Sequence, residues 1–256
     1  MIHPVQSLEN AFVEVRNADA ASPLVLICEH ASPFIPSEFG HLGLAASERE
    51  SHVVWDPGAM ALATHLAARL EATLVASKVS RLVYDCNRPP EAHDAIPERS
   101  ETVDVPGNAD LTSQEKAKRA ARFYYPFRDA VARIVASKTD PILVTVHSFT
   151  PIYYGKPRAV EVGVLHDVDT RLADALLSNP AGFAAMTLRR NEPYGPADGV
   201  THTLKEHAIP DGHLNVMLEL RNDLLADEAA QSEMADILAD WLTRALAKLE
   251  AGACKV

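Results

Sequence analysis

Five short runs along the chain are almost wholly apolar and rich in Val, Ile and Leu, and each is bounded by polar or turn residues. They are 23–28, 73–77 with 82–85 close behind, 142–147, 159–165 and 214–220. Such runs predict short buried strands. Between them the period changes to that of a helix. In 58–71 (GAMALATHLAARLE), Met60, Ala63, Leu66, Ala67 and Leu70 fall on one stripe at helical spacing. The segment 112–137 opens with TSQE, a capping-box pattern, and Pro126 inside it should start a new helix or kink this one. Segments 170–178 and 228–250 complete the helical set.

Strands alternating with helices of this length predict an α/β fold: a single three-layer αβα domain, spanning 1–256, around a mostly parallel mixed sheet. A chain of 256 residues buries a sizeable core in one such domain without covalent staples. Two stretches lack periodicity, 88–108 with four prolines and 191–210. Long irregular loops in compact domains are often functional, so both are expected to border a site.

The net charge, 24 − 35 = −11, is spread along the chain. Nucleic acid or an anionic membrane would want a basic face, so neither is expected as a partner, whereas a small anionic substrate needs only a few local arginines. Cys28, Cys86 and Cys254 are odd in number, far apart and outside any CxxC motif, which points to a reducing cytoplasm rather than a disulfide framework. His3 and Glu9 stand where a secretion signal would need a basic start and an apolar run. Nothing in the chain bears on oligomeric state.

The chemistry lies at the strand ends. In open α/β sheets ligands bind beyond the carboxyl ends of the strands. Here the runs end on Glu29-His30, Asp85-Cys86-Asn87-Arg88, His147-Ser148 and His166-Asp167, and the last carries Glu219 and leads to Arg221-Asn222-Asp223. Two strand-end histidines plus a carboxylate suit a divalent metal, most naturally Zn2+, with one position open for water. His30 and His147 are the candidate ligands. The third is Asp56, in WDPGA, or Glu29; Asp56 is preferred because adjacent strand residues point to opposite faces, leaving Glu29 in support. His41, His52, His65, His93 and His207 lack this context and read as core or surface residues. Glu219, late in an apolar strand, should be desolvated, which raises its pKa and suits a general base; the plain alternative is a pair with Arg221. Arg88 offers a planar fork and Asn87 a further hydrogen bond to a substrate carboxylate, against the alternative of a salt bridge pinning the loop. Arg81 is a weaker candidate of the same kind. No GxSxG, P-loop, GxGxxG or HExxH is present.

EHAS, WDPGA, SRLVYDCNRP, the HSF after a strand, RNEPYGPADGVTHTL and ELRNDLL occur together in this order. The ordered set resembles the N-formylglutamate amidohydrolase family, over roughly residues 22 to 245. The resemblance implies a fold like that of zinc carboxypeptidases and aspartoacylase-type deacylases, and hydrolysis of N-formylglutamate to formate and glutamate in histidine breakdown. It implies metal histidines at His30 and His147, a catalytic glutamate at Glu219 and a carboxylate-binding pair at Asn87-Arg88. Arg81 is expected to stabilise the oxyanion, and Ser148, Tyr194 and His202 to border the substrate. One departure stands out. The carboxypeptidase pattern has an acid three residues after the first histidine, and here that position is Pro33, so the third ligand must come from elsewhere. The rival readings are a carboxypeptidase or a deacylase for another acyl group and, outside the enzymes, a binding protein for acidic amino acids.

Overall fold

A computed structural model describes residues 11–180 and 182–253; His3, Glu9 and Cys254 lie outside them. Seven strands form the central sheet: β1 (Val13–Arg16), β2 (Leu24–Cys28), β3 (Thr73–Ser77), β4 (Ile142–Phe149), β5 (Val162–Leu165), β6 (Leu188–Arg190) and β7 (Asn215–Arg221). Their order is β1-β3-β2-β4-β7-β5-β6. Four of the six pairings are parallel; β1 against β3 and β5 against β7 are antiparallel. The sheet is thus mixed and mostly parallel, as the alternation of elements predicts.

The helices are α1 (Ala59–Arg69), α2 (Ser113–Arg119), α3 (Tyr125–Ala136), α4 (Arg171–Leu177), α5 (His202–His207) and α6 (Glu228–Ala253). On one face α1, α4 and α6 cover Leu24, Leu26, Val144, Val146, Val216 and Leu218. On the other, α3 packs over Val25, Ile27 and Val75, and α5 lies against α3 and β7. The central strands bury both faces, which is why they read as continuous apolar runs. The capping box forms as expected: Thr112 Oγ1 accepts from the Glu115 N–H, and Glu115 Oε2 accepts from the Thr112 N–H. Pro126 does not stop the helix. A π turn over Ala120–Tyr124, in which the Tyr125 N–H bonds to the Ala120 carbonyl, precedes it and joins α2 to α3.

Three expectations are corrected. Residues 82–85 are not a strand: Ser80 Oγ accepts the Leu82 N–H and the Ser80 carbonyl accepts that of Val83, so a tight turn buries these apolar side chains without ladder pairing. The stretch 191–210 is not irregular throughout, because it contains α5. Finally, β5 runs against β7, with Leu165 opposite Met217 and Gly163 opposite Glu219. Its carboxyl end, with His166-Asp167, therefore points to the other edge of the sheet from Glu219. There His166 meets Arg190 and Asp167 meets Thr201.

Candidate active site

The carboxyl ends of β2, β4 and β7 share one edge, and register decides what they bring together. Glu219 stands opposite His147 on adjacent parallel strands, so both side chains emerge on the same face. Glu29 and His30 directly follow β2. Asp56 arrives from outside the sheet. Its N–H bonds to the His30 carbonyl, and the chain then turns into α1 through Gly58, whose φ of +81° favours glycine and whose added Cβ would strike the Leu225 Cβ at 2.6 Å. Asp85 arrives from the turn after β3. None of Glu29, His30, Asp56, Asp85, His147 and Glu219 is more than 5% exposed. Buried ionisable groups at this density must compensate one another.

They do so around the two imidazoles. Asp56 Oδ2 lies 3.2 Å from His30 Nδ1 and 2.9 Å from His147 Nδ1, and it also accepts the Ser148 N–H at 3.3 Å. Each histidine has a private acid on its other nitrogen: His30 Nε2 is 2.7 Å from Asp85 Oδ1, and His147 Nε2 is 3.1 Å from Glu29 Oε2. Arg81 bridges Asp56 Oδ1 and Asp85 Oδ2 at 3.4 and 3.3 Å. The electrostatics follow. Burial alone would raise the Asp56 and Asp85 carboxyls, yet the neighbouring imidazoles hold both well below the usual carboxylate range. Burial alone would lower His147, but Glu29 and Asp56 hold it well above the ordinary imidazole value. Glu219 goes the other way. Burial, reinforced by the Asp56 charge, pushes its carboxyl up to about 7 against the pull of His147.

His30, Asp56 and His147 each offer a ligand atom within 4.8 Å of the others. Imidazole nitrogens plus a carboxylate oxygen are a donor set for zinc or a similar divalent ion. A hydrogen bond such as that of Asp85 to the outer nitrogen of His30 fixes the tautomer of a metal-ligating imidazole, and the Glu29 charge stands at the corresponding nitrogen of His147 at ion-pair distance. Glu29, adjacent to His30 in sequence, thus supports the other histidine.

His30, Asp56 and His147 border a cavity of about 600 Å³ whose wall also includes Arg81, Asn87, Arg88, Ser148, Tyr194 and Glu219. Of the ligands, catalytic residues and substrate contacts preferred from the sequence, all but one reach it, whereas Glu29, the alternative ligand, stands behind His147 outside the wall. The exception is His202, whose Nε2 pairs with the Tyr124 hydroxyl at 2.8 Å outside the wall, because it opens α5 on the α3 side. Asn87 and Arg88 are at the wall but heavily committed. Asn87 bonds to the Val200 carbonyl and to Thr203, and Arg88 bonds to Asp94 and to the Asn87, Asp198 and Gly199 carbonyls. The wall also includes His52, which by its sequence context reads as a core or surface residue, and Arg158, which the sequence does not mark. His52 pairs there with Glu101 at 2.6 Å, and Arg158 sits among Phe149, Tyr153 and Tyr194. Neither stands at a strand end, so no sequence signal marks them.

A comparison with curated proteins finds no match. Among solved structures, the chain is 51% identical to a gene product of Agrobacterium tumefaciens, with a TM-score of 0.91, covering 94% of this chain and 97% of that one. It shares its fold with the N-formylglutamate amidohydrolase of Ralstonia eutropha JMP134 at a TM-score of 0.62 and 20% identity, covering 96% of this chain and 100% of that one. The family model for N-formylglutamate amidohydrolase matches residues 22–226, which hold every residue discussed at this sheet edge, and the chain belongs to that family.

Proposed function

We propose that the protein is a divalent-metal amidohydrolase cleaving the amide of a small N-acyl amino acid, with N-formyl-L-glutamate, giving formate and L-glutamate, as the favoured substrate. One observation carries this reading. Two buried imidazoles share Asp56, each has its own acid behind it, and Glu219, with its pKa near neutrality, borders the same cavity.

A divalent ion held by His30, Asp56 and His147 would supply Lewis acidity, lowering the pKa of water and polarising the scissile carbonyl. The chain's own groups perform the proton work. Ionised Glu219 takes a proton from the attacking water as its oxygen adds to the amide carbon. The same carboxyl then gives that proton to the nitrogen as the C–N bond breaks, releasing the acid and the free amine. A carboxyl pushed up to about 7 is matched to both halves of that exchange. Arg81, fixed by Asp56 and Asp85, presents its guanidinium to the negative charge that develops on the carbonyl oxygen. Asn87, Arg88, Ser148 and Tyr194 shape the wall around the amino-acid half.

The test is formate release from N-formylglutamate alongside elemental analysis. Chelation should abolish turnover and zinc should restore it; metal-free protein with full activity rejects the metal. Glu219→Gln should lower kcat by about 10²–10⁴-fold with metal content unchanged, and near-wild-type turnover removes Glu219 as the base.

A further inference from the structure

Three arginines line the cavity, and they differ in what answers their charge. Arg81 faces Asp56 and Asp85, and Arg88 faces Asp94. Arg158 has no carboxylate at ion-pair distance among the described residues. Its Nη2 donates to the Tyr194 hydroxyl at 2.8 Å, and its Nη1 is shut off from solvent without an acceptor. The guanidinium carbon lies 4.2 Å from the ring centre of Tyr153, 4.7 Å from that of Tyr194 and 5.4 Å from that of Phe149. Aromatic faces favour a cation but strip its water, so the charge remains uncompensated.

The position is fixed from behind. The Arg158 N–H bonds to the Pro151 carbonyl at 2.8 Å, and its own carbonyl accepts from Arg221 Nη1 at 3.1 Å. Its distance from the chemistry follows from the strand. Phe149 lies two residues beyond His147 on β4, on the same face and about 7 Å further along. Arg158, stacked at Phe149, stands further along the strand than His147, whereas Arg81 contacts Asp56 and Asp85 directly. Of the two, Arg158 suits a remote acid rather than the developing oxyanion.

We propose that Arg158 is the anion anchor of the cavity: it binds a carboxylate on the amino-acid half of the substrate and restricts turnover to N-acyl amino acids carrying that acid. This rests on the amidohydrolase reading for its substrate class, and on the uncompensated guanidinium for the residue. Both the α-carboxylate and an acidic side chain present this chemistry, and the test separates them.

Wild type, Arg158→Met and Arg158→Lys are compared on N-formylglutamate, its α-amide and its side-chain amide. In wild type, replacing the anchored acid by an amide should lower kcat/KM roughly 10- to 100-fold, the scale of a charge-assisted hydrogen bond. That preference should fall to near unity in Arg158→Met, through KM rather than kcat, and the amide affected identifies the carboxylate. Arg158→Lys keeps the charge without the planar fork, so it should recover part of the preference, and it serves if the Met protein does not fold. Preferences unchanged in the variants overturn the anchor and leave the amidohydrolase reading intact. Calorimetry with L-glutamate and glutarate supplies a readout independent of turnover. Binding lost in Arg158→Met, in a protein that hydrolyses none of the three compounds, retains the anchor and rejects N-formylglutamate as the substrate. Equal binding in wild type and variant overturns the anchor.

Discussion

The His30 ring is held by acids at both ends, and the two ends are not equivalent. Asp85 Oδ1 lies 2.7 Å from Nε2, and a proton held there leaves the lone pair on Nδ1, the nitrogen beside Asp56 Oδ2, free to ligate. Asp85→Asn keeps the shape but lets an amide N–H face Nε2, favouring the tautomer that cannot ligate through Nδ1. Metal affinity measured by competition with a chromophoric chelator should fall about 10–100-fold, and Glu29→Gln should act likewise through His147; a dissociation constant unchanged by either substitution removes the support role. His207 makes a separate case on α5. Burial, with His202 nearby, lowers its pKa from 6.5 to about 4, so the folded protein keeps it neutral where the unfolded chain would protonate it. The unfolded state therefore gains the proton first as pH falls. Stability from this group is complete above pH 6.5 and is lost progressively toward pH 4, a cost of up to about 3 kcal/mol. Urea midpoints between those limits should fall less steeply for His207→Gln than for wild type, and parallel profiles would show that His207 does not contribute.

At the scale of elements, direction matters as much as existence, and only existence is written locally. His30, His147 and Glu219 were legible because an apolar run that stops on an ionisable residue is costly unless the end opens on a site. The run before His166 looks the same, but β5 is antiparallel, and nothing within four residues distinguishes the two directions. The run 82–85 shows the converse, since apolar burial alone does not require a ladder. Arg158 was illegible for another reason: its role depends on three aromatic rings drawn from β4, the hairpin after it and the loop following β6. Gly163 fixes that last loop. It pairs with Glu219, and a Cβ there would lie 2.2 Å from the Glu192 carbonyl oxygen and 3.2 Å from the Glu219 Cβ. Backbone cannot yield as a flexible side chain can, so Gly163→Ala must push the loop bearing Tyr194 outward. The expected result is a loss of about 1–3 kcal/mol in stability together with a raised KM. A protein with unchanged melting and kinetics would show that the contact relaxes freely.

For the whole molecule, what counts is how far apart in sequence the site's parts lie. His30, Asp56, Asp85, His147 and Glu219 come from β2, the turn before α1, the turn after β3, β4 and β7, and they meet only when the parallel core has formed. Among the described residues no helix is long and apolar enough to cross a membrane. A ligand that binds the folded state alone stabilises it by mass action, by about 2.7 kcal/mol at one hundred times its dissociation constant. For a chain of 256 residues that corresponds to a rise in Tm of roughly 5–10 °C. Melting of chelated protein should therefore shift upward with added zinc in proportion to the logarithm of its concentration. His147→Ala removes one donor without touching the distant helices, and its Tm should not respond. A rise of equal size in wild type and His147→Ala would locate the stabilising ion elsewhere on the protein, whereas a rise confined to wild type ties the fold's stability to this one edge of the sheet.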